Sequence, residues 1–104
     1  MEQLERIAAM ELAMDRAGAA IRALDQALDA YCGVLPDLLA LDQYLRSDEW
    51  KADFAADEAG AFPPELRRGV LSEDGIYDLL QENDLLRRRL RELAGSRRRK
   101  KDGA

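Results

Sequence analysis

The chain has 104 residues, a net charge of −5, one cysteine and no histidine; this is enough for one modest core, and it excludes Ser-His-Asp and Cys-His catalysis, an internal disulfide and a zinc site of Cys and His ligands within one chain. With 47% hydrophobic, 36% charged and only 6% aromatic residues, the balance is that of exposed helices rich in Ala, Leu, Glu and Arg, and an all-α chain is expected. The charge is divided: residues 1–86 carry 7 basic and 19 acidic side chains, and residues 87–104 carry 9 basic and 2 acidic.

The first half carries a seven-residue apolar repeat. Ile7, Met14, Ile21, Leu28 and Leu35 fall in one phase, and Met10, Ala17, Leu24, Tyr31, Leu38 and Leu45 fall three residues on. Such a repeat predicts one long helix from Glu2 to about Cys32, interrupted only by Gly18, which costs about 1 kcal/mol relative to Ala. Cys32 is expected to be a buried small residue. Pro36 lacks an amide hydrogen and its ring would crowd the carbonyl of Cys32, so the helix must kink or stop there. The apolar phase continues through Leu35, Leu38 and Leu45 without a slip, which favours a kink.

Ser47 followed by Asp48 and Glu49 reads as an N-cap with acids in the first turn, and a short helix from about Asp48 to Glu58 should follow, ended by Gly60. Trp50 and Phe54, four apart, share one of its faces. Phe62 to Gly69 reads as an isolated turn, with Pro64 preset for the first helical position and Gly69 just past the end. Ser72 then caps a final helix, with Glu73 and Asp74 facing its dipole and Leu71 able to staple onto Ile76. That helix repeats at Ile76, Leu79, Asn83, Leu86, Leu90 and Leu93, and Gly95-Ser96 is expected to stop it. The expected organisation is a single helical domain over 1–95 followed by a disordered basic tail over 96–104.

Ala13, Ala20 and Ala27 flank the first seam where a two-stranded zipper would carry charge, so the apolar stripe is wide and needs cover from two directions. About 30 helical residues span roughly 45 Å and about 22 span roughly 33 Å, so the last helix cannot cover the first. The expected architecture is a long kinked N-terminal helix packed antiparallel against the C-terminal helix, with a short helix between, dimerising through a stripe that includes Ile7, Met10, Met14, Ile21, Leu24 and Leu28. Glu82 and Arg87 are also spaced as in a parallel zipper with Asn83 at a core position, and a partly exposed Asn83 on a bundle's edge is the other reading.

No motif for chemistry appears. Asp48, Glu49, Asp53, Asp57 and Glu58 crowd the short helix, where they could hold a hard cation, but a solvated acidic face explains them, so no enzyme, cofactor or metal is expected. Tyr44, Trp50, Phe54 and Tyr77 are candidates for a contact with a partner protein, with Trp50 and Tyr77 also candidates for the core. Arg97, Arg98, Arg99, Lys100 and Lys101, preceded by Arg87, Arg88, Arg89 and Arg91, are candidates for phosphate contact. Against a nucleic-acid role stand the acidic body and the lack of interleaved aromatics. The opening Met1-Glu2-Gln3 lacks a basic or apolar leader, and no apolar run approaches the ~20 residues of a membrane span, so a cytoplasmic protein is expected.

The run Gly69-Val70-Leu71-Ser72-Glu73-Asp74-Gly75-Ile76-Tyr77-Asp78-Leu79-Leu80, with the opening Met1 to Ile7, Pro36-Asp37-Leu38, Ser47 to Trp50 and Asp57-Glu58, resembles a family of small bacterial proteins catalogued only as a domain of unknown function. The resemblance covers most of residues 1–94 and leaves the basic tail outside. It implies an all-helical bacterial cytoplasmic protein and supplies no activity or ligand. Gly75 departs from the pattern, which has a helix former such as Ala there. The function expected from all of this is a structural or adaptor interaction module acting as a homodimer, the alternative being a nucleic-acid-associated protein using the tail.

Overall fold

The computed structural model describes the backbone of residues 2–102 and the side chains of residues 2–96, and over these the chain is all-α with no strand. It divides into two compact units, Met1–Asp37 and Leu38–Ala104.

The first unit is essentially one helix, α1 (Gln3–Gly33), which has no buried residue. It ends where the sequence punctuates it. Val34 takes φ −101° and ψ 3°, and its N–H bonds to the Tyr31 carbonyl at 3.1 Å. A second helix, α2 (Leu35–Leu45), begins one residue later. Pro36 falls in its first turn, where a missing N–H leaves no bond unmade. Cys32 is exposed, which corrects the expectation of a buried residue: no residue of α1 is buried, its apolar phases included.

In the second unit, Ser47 joins α2 to α3 (Asp48–Glu58). Its hydroxyl donates to the Tyr44 carbonyl at 2.6 Å and accepts from the Trp50 N–H at 3.1 Å, satisfying one orphan group at each helix end. The other end of α3 is a Schellman closure: Ala61 N–H reaches Ala56 O and Gly60 N–H reaches Asp57 O, both at 3.0 Å, with Gly60 at φ +76°, a backbone conformation that favours glycine. Leu66 N–H closes the expected turn onto Pro63 O at 3.1 Å.

A short 3₁₀ turn, Gly69–Leu71, follows, and then α4 (Gly75–Asp102). Ser72 is the hinge between them. Its hydroxyl donates to Gly69 O at 2.8 Å and accepts from Gly75 N–H at 3.0 Å. The backbone is so close here that a Cβ on Gly75 would overlap the Gly69 carbonyl oxygen and lie 2.6 Å from Ser72 Oγ. This explains why a glycine stands where helix propensity alone favours Ala. Leu71 and Ile76, on either side of this hinge, are 7% and 3% exposed and are the buried hydrophobic residues among those described.

The expected stop at Gly95-Ser96 is corrected, because α4 runs through both residues to Asp102. One interior glycine costs about 1 kcal/mol, and with no proline after it the helical ladder continues. Residues 103–104 of the expected tail lie outside the described residues.

Candidate interaction surfaces

The second unit turns three of the four candidate contact aromatics inward to partners of their own. Tyr44, Trp50 and Phe54 are half-buried. Trp50 and Phe54, one turn apart on α3, stack with ring centroids 5.1 Å apart and planes 21° from parallel. The indole Nε1–H donates to Val70 O at 2.8 Å, so Trp50 ties α3 to the 3₁₀ turn across 20 residues of sequence. This is a structural job, since a half-buried indole needs a partner for its N–H. Tyr77 is 55% exposed on α4 and its hydroxyl accepts from Gln81 Nε2 at 2.7 Å. The core role expected for Tyr77 is therefore corrected, its neighbour Ile76 pointing inward in its place.

The acidic face of α3 also has occupants. Tyr44 OH donates to Asp53 Oδ2 at 2.6 Å, and Asp57 Oδ1 sits 2.9 Å from Arg68 Nε, an ion pair by distance whose N–H is not aimed along it. Arg68 also donates through its terminal nitrogen to Pro63 O at 2.8 Å, pinning the turn to α3. Neither the Tyr44–Asp53 bond nor the Asp57–Arg68 pair is visible as a local spacing: the first needs the break at Ser47 and the second the chain reversal at Gly60. Among the described residues no group of three or more His, Cys, Asp or Glu is placed to hold a metal ion, and no helix is long and apolar enough to cross a membrane.

The bond to Asp53, then burial and the adjacent negative charge, push the Tyr44 hydroxyl up to about 12 from its ordinary 10.0. A raised folded-state value means that the protonated phenol stabilises the fold in full below pH 10 and that this contribution fades between pH 10 and 12. In an ultraviolet absorbance titration, Tyr44 should ionise near pH 12, and Asp53→Asn should return it towards 10. An unchanged titration in the Asn variant would contradict the assignment.

Apolar surface remains open in both units. On α1 the expected stripe is open to solvent, from 38% exposure at Leu28 to 67% at Ile21, with Ile7, Met10, Met14 and Leu24 between. In the second unit a groove of about 570 Å³ is lined by Leu41, Val70, Ile76 and Leu79, with Arg67 among its walls. The side chains of Arg97, Arg98, Arg99, Lys100 and Lys101 lie outside the described residues, so their candidate phosphate contacts do too.

Residues 7–93 match one family, a domain of unknown function, DUF4298. The chain belongs to this family. The DUF4298 match takes in the α1 stripe, the Trp50 cluster and the Ser72 hinge, and it ends before the run Arg97 to Lys101. No curated protein and no solved structure matches the chain.

Proposed function

We propose that this DUF4298 chain is a structural or adaptor module of protein–protein interaction that works as a homodimer. What carries the reading is the shortage of burial. Only Leu71 and Ile76 are buried among the described hydrophobic residues, whereas ordering a domain of this length costs on the order of 100 kcal/mol of conformational entropy that apolar burial must offset. Association supplies burial that one chain lacks, and it stabilises the folded state by mass action. The α1 stripe from Ile7 to Leu28 is roughly 32 Å long, suited to receive a helix of another protein, and Tyr77 is the candidate contact aromatic that keeps most of its ring open.

Light scattering across a concentration series tests this. The expected limit is twice the 11.7 kDa chain mass; a single-chain mass at every concentration would remove the homodimer. A second reading, nucleic-acid contact through Arg97 to Lys101, draws support from α4 continuing as helix to Asp102, which carries the arginines from Arg87 and this run on one rod. Binding to duplex DNA at two salt concentrations, with and without residues 96–104, separates the two: loss on deletion with a steep salt dependence favours nucleic acid, and no binding removes it.

A further inference from the structure

Resting on the homodimer reading, we propose that the contact between copies is made by α4 lying antiparallel against α4 of a second chain, with Leu86 at the two-fold axis. Leu79, Leu86 and Leu93 recur every seven residues on this helix and are 42%, 42% and 61% exposed. Ile76 and Leu80, which lie away from that line, are buried and half-buried. The outward leucines therefore run along the edge of the face that the chain covers itself, Leu79 bordering the groove beside Ile76 and Leu86 and Leu93 continuing beyond it.

The strip complements itself in only one direction. Leu79 and Leu93 stand seven residues on either side of Leu86. In an antiparallel pair Leu86 meets the partner's Leu86, while Leu79 meets the partner's Leu93 and Leu93 the partner's Leu79. Such a contact is closed and isologous. The charges agree. Residues 73–84 carry Glu73, Asp74, Asp78, Glu82 and Asp84 with no base, and residues 87–91 carry Arg87, Arg88, Arg89 and Arg91 with no acid. A parallel pair would set like block against like block along the helix; an antiparallel pair sets acid against base at both ends.

Beside the leucine strip, Glu82 falls within one residue of the register that faces the partner's Arg89, and the symmetry makes this pair twice. Glu82 and Arg89 are exposed, and neither has an ion-pair partner among the described residues. From Leu79 to Leu93 the strip is about 21 Å long, the small end of specific interfaces, so association in the micromolar range is expected.

Sedimentation equilibrium on the full chain and on Glu82→Arg, Arg89→Glu, the double variant and Leu86→Glu tests this, with helicity by circular dichroism checking the fold. Each single charge reversal should weaken the dimer about tenfold, from two lost pairs and two new repulsions. The double reversal should restore it, and Leu86→Glu should weaken it by about a hundredfold or more. If the wild-type chain is a monomer throughout, the homodimer reading and this contact fail together. If it is a dimer that the single reversals or Leu86→Glu leave intact, or that the double reversal does not restore, the antiparallel α4 contact is overturned and the homodimer reading stands.

Discussion

Replacing Gly75 with alanine will lower the melting temperature, although it puts the best helix former at the first residue of a 28-residue helix. Propensity alone favours the change by about 1 kcal/mol. Against it stands the overlap of the new Cβ with the Gly69 carbonyl oxygen, together with its 2.6 Å approach to Ser72 Oγ. The carbonyl is backbone and cannot rotate away without moving the 3₁₀ turn. That turn holds Leu71 in its buried position and presents the Val70 carbonyl that takes the Trp50 N–H. Its displacement therefore loosens both contacts at once. A net loss of about 2–3 kcal/mol is expected, a fall of roughly 10–20 °C for a domain of this size. Thermal unfolding followed by circular dichroism checks it. A rise in melting temperature would mean that the close approach at this hinge does not exist.

This glycine also marks where the sequence stops being legible. The spacing of apolar residues and the caps are local signals, and they were enough for the ends of α1 and α3, for Ser47 and Ser72 as caps, and for the pairing of Leu71 with Ile76 across the final helix start. Each of these depends on residues within five positions of one another. The contacts that hold the second unit together do not. Tyr44 to Asp53, Asp57 to Arg68 and Trp50 to Val70 span 9, 11 and 20 residues, and each requires the reversal at Gly60 or the break at Ser47 to be set at a particular angle.

Two of the features that differ from expectation, Tyr77 and Gly95, have simple causes. Tyr77 adjoins Ile76 in sequence, but a helix turns by about 100° per residue, so adjacent residues cannot both face the core. Gly95 reads as a stop because glycine favours the position after a helix, but it closes a helix only where the chain adopts the left-handed turn that Gly60 adopts, and α4 continues past Gly95. The stripe on α1 and the strip on α4 were both readable as periods. A period does not say what covers it.

Trp50→Ala will destabilise the second unit more than its partial exposure suggests. The indole does two things from one position: it stacks on Phe54 at 5.1 Å and it donates to Val70 O at 2.8 Å. Truncating a fully buried tryptophan costs about 3–5 kcal/mol; half-burial reduces the apolar part, and about 2–3 kcal/mol is expected here, including the bond to Val70. Trp50→Phe separates the parts. It keeps a ring against Phe54 and removes the donor with a smaller part of the apolar contact, so its loss should be about 1–2 kcal/mol. Thermal melts of the two variants by circular dichroism give the comparison, since Trp50 is the chain's only tryptophan and fluorescence vanishes with it. If Trp50→Phe were as damaging as Trp50→Ala, the hydrogen bond to the 3₁₀ turn would be the dominant tie and the stack incidental. If both were neutral, α3 would be held to the turn chiefly by Asp57 and Arg68, an ion pair whose members are partly exposed and which should then weaken visibly in high salt.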